Sequence, residues 1–327
     1  MQKKLEKQIY TAAKIIKKGG IVAFPTETVY GLGADAFNVK AVEKIFKVKN
    51  RPFFDPLIVH ICKKEQIKYL YKRVDKRIER LIKKFWPGPL TIVAKKNLKL
   101  PDIVTAGLDT VAVRMPKNKI ALEFIKRCGA PIAAPSANKF GRLSPTTAQH
   151  VKKQFGKSID FIIDGGRCSV GLESTIVDVS LKKIVMLRSG VITAEDIEKV
   201  IGKKINIANN YNKIFPGLFK RHYSPRAKVI LFDKSNLKKF DIKNSGFIFF
   251  KTSGDFASVI PKNRIEILSP TGDLVEAASN LYYVLHKLDG KGVGKIYFEK
   301  IQKIGIGVAI MDRIKKASGK KIKLWKE

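Results

Sequence analysis

"STIVDVSLKKIVMLRS", residues 174–189, contains two short apolar strands in direct succession, "STIVDVS" and "IVMLRS". Strands with no helix between them do not suit a strictly parallel sheet, so this stretch predicts a mixed α/β sheet. On its N-terminal side come "FIIDGG", a helix near residues 146–155, and "APIAAPSAN", a strand ending in a polar loop. Further back lie the strands "TVAVRMP" and "LTIVAKK", two lysine-rich helices ending by Trp86, the buried strand "PLIVHI" and the helix "VKAVEKIFKV". The strand "IVAF" runs into "PTETVYGLGADAF", read as a loop rich in hydroxyls and glycine. The opening helix carries Leu5, Ile9, Ala12, Ala13 and Ile16 at helical spacing and stops at Gly19-Gly20.

On the C-terminal side, "TAEDIEKVIG" is a helix that Thr193 caps, with Asp196 three residues on. From about residue 205, "NIANNYNKIFPGLFKRHYSPRAK" shows Asn, Pro and Gly punctuation without periodicity, the mark of a linker. Beyond it, "VILFD", "GFIFF", "RIEIL" and "KIYFEK" are short strands, and "DLVEAASNLYYVLHKLD" and "GVAIMDRIKKAS" are helices. These make a small α/β domain of ordinary size. The expected organisation is residues 1–206, a linker over 207–227, and residues 228–327.

The chain has 327 residues, 45% of them hydrophobic, as a globular protein with a sizeable core requires. Its apolar runs fall short of a membrane span and "MQKKLEKQIY" lacks a signal peptide's apolar core, so a soluble, cytoplasmic protein is expected. Cys62, Cys128 and Cys168 are far apart, which fits buried thiols rather than disulfides or a zinc site. The formal charge is +37, with 65 Lys+Arg against 28 Asp+Glu. Only 13 of those cations are arginine, the better residue for bidentate phosphate recognition, and the 52 lysines are dispersed. Charge therefore supports anionic partners in general without identifying one.

Four polar loops follow short apolar strands: "PTETVYGLG", "KNRPFFDP", "PSANKFGRLSP" and "GLEST". Ligand sites of α/β sheets gather beyond strand ends. Arg51 precedes Pro52 and is pushed towards extended backbone. In extended chain Lys49 and Arg51, two apart, face one side and converge, as a phosphate chain requires.

In order and spacing, "FPTETVYGLGADA", Lys49-x-Arg51, "DPLIVH", "AVRMP", "PSANKFGRLSPT", "GLESTIVDV" and "LRSG" resemble the YrdC-like domain family. "PGLFKRHYSP" and "GIGVAIMDRIKKAS" resemble its two-domain branch, the long-form L-threonylcarbamoyladenylate synthases. The resemblance covers essentially the whole chain. It implies a mixed twisted sheet with helices, followed by a small Rossmann-like α/β domain. The implied reaction joins L-threonine, bicarbonate (or CO₂) and ATP into threonylcarbamoyl-AMP and pyrophosphate, the first step towards N6-threonylcarbamoyladenosine in tRNA. Lys49 and Arg51 would be catalytic and would bind ATP, together with Asp55, Thr110, Ser136, Asn138, Ser144, Arg188 and Tyr223. Thr28, His60, Arg114, Ser174 and the main chain of Ala134 would bind threonine, Arg114 holding its carboxylate bidentately. Mg²⁺ is expected on the triphosphate, with few or no protein ligands. Tyr223, in "RHYSP", would fold back as part of a lid that excludes water. Asp55 departs from the family, which usually shows asparagine there; a carboxylate would repel phosphate unless protonated, turned away or bound to the metal.

Two other readings compete. A basic module that holds tRNA or double-stranded RNA without chemistry would make the hydroxyl-rich loops superfluous. A carbamoyl-phosphate-using relative would carry zinc-finger cysteines, which this chain lacks. Candidate partners beyond the substrates are tRNA and a downstream threonylcarbamoyl transferase.

Overall fold

A computed structural model describes residues 3–208, 223–233 and 241–319. The expected linker and the "RHYSP" motif therefore lie partly outside the described residues, and Tyr223 lies within them.

The first sheet contains β1 (Val22–Phe24), β2 (Gly31–Asp35), β3 (Ile58–His60), β4 (Leu90–Lys95), β5 (Thr110–Arg114), β6 (Ile132–Ala133), β7 (Phe161–Ile162), β8 (Thr175–Asp178), β9 (Val185–Arg188) and β10 (Asn206–Ile207). Their order is β10-β9-β8-β4-β5-β3-β6-β2-β1-β7. The succession that decides the fold class behaves as expected, since β8 and β9 pair antiparallel. Parallel pairs such as β4–β8 and β3–β5 make the sheet mixed. A register shift between Ile176 and Val177 sets Ile176 opposite Arg188. Irregularities of this kind re-aim a side chain.

The segment "GLGAD", read from its glycines as a loop, is instead strand β2. The glycines serve packing: a Cβ on Gly33 would sit 2.6 Å from Ile132 and 2.9 Å from the Phe24 ring. Similarly, the patternless stretch after residue 205 opens with β10, two exposed residues at the sheet edge, too short to show any periodicity.

Helices cover the sheet through single apolar stripes. Helix Lys3–Lys17 buries Ile9, Ala12, Ala13 and Ile16 and packs on helix Lys119–Cys128. In helix Ala194–Ile201 the Thr193–Asp196 capping box is present.

The second sheet, β11 (Lys228–Phe232), β12 (Ser245–Phe249), β13 (Ile265–Ile267) and β14 (Lys295–Glu299), is parallel throughout in the order β11-β14-β12-β13. Helices Leu274–Gly290 and Ile306–Ala317 accompany it. Its apolar cluster includes Val29, Leu143 and Leu172 of the first unit, so one core crosses between the two. At the junction Gly171, with φ +70°, lies so close to helix Leu274–Gly290 that a Cβ would meet the Ser279 carbonyl at 2.4 Å. No helix among the described residues is long and apolar enough to cross a membrane.

Candidate active site

The polar loops converge on a small cavity of about 50 Å³. Thr28, Arg51, His60, Arg114, Ala134, Ser136, Ser174, Arg188 and Tyr223 line it, with Thr26 and Glu173 among their neighbours.

Arg114 ends β5 and is buried. Its Nη1 donates to Thr28 Oγ1 at 2.7 Å, Nε to the Gly88 carbonyl at 3.2 Å, and Nη2 lies 2.7 Å from Glu27 Oε1. Thr28 Oγ1 also stands 2.8 Å from Thr26 Oγ1. Ser174 Oγ is 2.7 Å from Thr91 Oγ1. Burial, then the charge of Arg114, pushes the His60 imidazole down to about 3. It is therefore neutral at physiological pH, and its buried Nδ1 has no hydrogen-bond partner among the described residues. The Ala134 N–H donates to the Ile58 carbonyl at 2.8 Å.

Arg51 and Arg188 supply the cavity's other cations. Arg51 Nε donates to the Asp55 carbonyl at 3.0 Å and Nη2 to the Pro56 carbonyl at 2.8 Å, and Nη2 pairs with Asp55 Oδ1 at 2.8 Å. The Asp55 carboxyl is thus turned to Arg51, and burial raises its pKa despite that pairing. Arg188 clasps Ser174, donating from Nε to its carbonyl and from Nη2 to its hydroxyl, both at 3.0 Å.

The route by which Lys49 and Arg51 are set differs from the extended-chain expectation. Lys49 is the last residue of helix Val39–Lys49, and Asn50 caps that helix with φ 52° and ψ 43°. A left-handed cap turns the chain, and Asn tolerates that conformation. Lys49 consequently points at the "PSAN" loop, where its buried Nζ donates to the carbonyls of Ser136, at 2.7 Å, and Asn138. Burial, then the charge of Arg51, lowers its pKa well below the usual lysine value.

Three further expected residues stand behind the wall. Asn138 donates from Nδ2 to the carbonyls of Lys139 and Arg142, while its buried Oδ1 has no partner among the described residues. Ser144 donates to Glu173 Oε1 at 2.5 Å. Thr110 opens β5, buried and opposite Lys95. Tyr223 is 1% exposed and has φ 59°, a conformation costly for a bulky side chain and typical of functional sites.

Sequence reasoning missed two acids. Glu27 and Glu173 stand inside the quoted motifs "PTETVYG" and "GLEST", and both line up with arginines. It also missed Arg313, whose signal was legible: an arginine within the apolar stripe of Ile310, Ile314 and Ala317.

Comparison with known proteins places the chain in a family. A family model described as "Telomere recombination" matches residues 14–190, and one described as "Threonylcarbamoyl-AMP synthase, C-terminal domain" matches residues 192–319. The chain is 44% identical to a threonylcarbamoyl-AMP synthase of Pyrococcus abyssi, over 97% of this chain and 96% of that one. To the enzyme of the same name from Bacillus subtilis it is 39% identical, over 96% and 94%. The crystal structure of P. abyssi Sua5 complexed with L-threonine superposes with a TM-score of 0.88 at 41% identity, covering 96% of this chain and 95% of that one. The chain belongs to the threonylcarbamoyl-AMP synthase family of nucleotidyltransferases, in its two-domain form.

Proposed function

We propose that this cavity joins L-threonine, bicarbonate and ATP into threonylcarbamoyl-AMP and pyrophosphate. The observation that carries the reading is the meeting of three arginines on one small cavity: Arg114 among hydroxyls, and Arg51 with Arg188. A guanidinium among hydroxyls suits an amino-acid carboxylate and side chain. Two more arginines suit a phosphate chain.

The chemistry sets what these residues must do. Bicarbonate takes up a proton and gives CO₂ and water; the threonine amine, as a neutral base, then adds to the CO₂ carbon and releases a proton to solvent, giving a carbamate. A carbamate oxygen then attacks the α-phosphorus, and the bond to the β-phosphate oxygen breaks as pyrophosphate leaves with the electron pair. Arg114, with Thr28 and Ser174, orients the amino acid. A neutral His60 offers a hydrogen bond without a positive charge that would oppose the incoming ammonium. Arg51 and Arg188 offset the repulsion between carbamate and triphosphate and stabilise the departing charge. Lys49 fixes the "PSAN" loop, which brings Ser136 to the cavity, while Asn138 braces that loop from behind. No covalent nucleophile is needed, because positioning and charge neutralisation suffice.

Magnesium would arrive with ATP as its companion ion and would neutralise charge on the phosphates. Tyr223, from the segment between the two units, is among the residues that line the cavity. There it would shield a hydrolysable mixed anhydride from water. The charge of +37 suits delivery of that product near tRNA or to an RNA-bound transferase.

The test is pyrophosphate release from ATP with and without L-threonine and bicarbonate, with the product's mass measured. Release that needs both supports the reading. Release that ignores threonine overturns it.

A further inference from the structure

The last helix sends one charged side chain into the junction between the two units. Arg313 is 0% exposed, although it lies on the helix face that buries Ile310, Ile314 and Ala317. Its Nε donates to Glu173 Oε2, its Nη1 to Asp312 Oδ2 and its Nη2 to the Ser189 carbonyl, each at 2.8 Å. The ring centre of Tyr223 lies 5.2 Å from the guanidinium carbon. Three of these four contacts adjoin the cavity: Glu173 lines it beside Ser174, Ser189 follows Arg188, and Tyr223 lines it too.

A buried arginine in a domain junction is ordinarily a structural clamp. What sets this one apart is the carboxylate it holds. Glu173 faces a cavity that must accept a triphosphate and an amino-acid carboxylate, and an uncompensated anion there repels both. Glu173 also receives hydrogen bonds from Ser144 at 2.5 Å and from Tyr282 at 2.9 Å, which fix its direction. Arg188 lines the same cavity and is bonded to Ser174, the residue that follows Glu173, so it is the cation at hand on that wall. Without Arg313, a buried carboxylate would take Arg188 as its counter-ion. The arginine meant for the phosphates would then be spent on the wall.

We propose that Arg313 is a positioning residue for ATP: from the C-terminal domain it cancels the charge of Glu173 and keeps that carboxylate from drawing Arg188 away from the phosphates. This inference rests on the reading of the cavity as an ATP site. It gives the second domain a chemical part in the reaction, charge balance at a wall it does not itself form.

The experiment is calorimetric binding of a non-hydrolysable ATP analogue, with magnesium, to the full chain and two variants. Arg313→Gln should weaken binding at least fivefold. Adding Glu173→Gln to Arg313→Gln should bring affinity back to within fivefold of the parent, because the stranded anion is gone. A structural clamp gives the opposite pattern, a double variant no better than the single one, and that result overturns the proposal. So does Arg313→Gln binding as the parent does. A parent chain that fails to bind the analogue would sink the ATP-site reading itself, and the inference with it. Should Arg313→Gln not fold, Arg313→Lys decides: the retained charge should keep binding within fivefold, and a greater loss in a folded protein overturns the idea.

Discussion

Arg51–Asp55 and Arg313–Glu173 are both buried arginine–carboxylate pairs at 2.8 Å, yet their carboxyls are pushed in opposite directions. Burial raises the Asp55 pKa, and the nearby charges of Arg51, Lys49 and Arg188 only reduce the effect. Burial also penalises the Glu173 anion, but Arg313, Arg188 and hydrogen bonds from Arg313 and Ser144 outweigh it and hold the group at about 2. Hydrogen bonding separates the two. Neither oxygen of Asp55 has a hydrogen-bond partner among the described residues, whereas Glu173 accepts from Ser144, Tyr282 and Arg313. A charged group out of water is well held only when its remaining lone pairs are satisfied. Arg114–Glu27 shares with Arg51–Asp55 only the missing hydrogen bonds: it is a 2.7 Å contact in which neither carboxylate oxygen has a hydrogen-bond partner among the described residues. The arginines assigned to substrates thus sit in loose pairs that a ligand anion can take over. The arginine at the domain junction sits in a saturated one.

The comparison breaks most visibly if Arg51 proves dispensable. Arg51→Ala should lower kcat/KM for ATP by about 10²–10³-fold, the usual loss when a group that stabilises transition-state charge is removed. Part of that loss reflects Asp55 left without its cation, so urea unfolding should be measured alongside. Pyrophosphate release at the parent rate from a folded variant would refute the assignment.

The saturated pair is tested by acid. Because the folded-state pKa of Glu173 is depressed to about 2, its stabilisation is present above the unfolded value and disappears as pH falls towards 2. Glu173→Gln should cost on the order of 3 kcal/mol at pH 7, with roughly half of that difference gone by pH 3. Urea midpoints of parent and variant at the two pH values measure this. A difference that does not change with pH would mean the carboxylate is not held as an anion.

How much of this was legible depended on where the information lies in the chain. The succession of "STIVDVS" and "IVMLRS" was enough for a mixed sheet, because alternation and the lack of an intervening helix are local properties. Two of the polar loops hold Thr28 and Ser174, but it was the family resemblance that singled out those two with His60 and Arg114, since a histidine closing an apolar strand reads by itself as a core residue. Strand β2 was hidden by its glycines, whose reason is the Phe24 ring and Ile132, on strands that only the fold brings alongside. The expected convergence of Lys49 and Arg51 is not what the fold gives: Arg51 lines the cavity while Lys49 turns to the "PSAN" loop, for pre-proline bias says nothing of a left-handed cap one residue earlier. Glu173 and Arg313 stand 140 residues apart, and nothing local in either segment names the other.

The smallest expected effect sharpens the contrast furthest. Asp55 is the one site acid that stands where the resemblance expects asparagine. Its pairing with Arg51 offers a reason the carboxylate is tolerated: the anion faces a guanidinium, and its raised pKa lowers the cost of neutralising it when phosphate arrives. Asp55→Asn keeps the side-chain shape and removes the charge, so Arg51 no longer has to be won from a competing anion. ATP affinity should stay level or tighten by up to about tenfold, the range of one hydrogen bond to a charged group. The change should appear in KM for ATP and leave KM for threonine unmoved, because Arg114 and Glu27 form a separate pair. A tenfold loss of ATP affinity on titration would show instead that the acid has its own part in holding the nucleotide, and the pairs beside substrate would no longer count as loose.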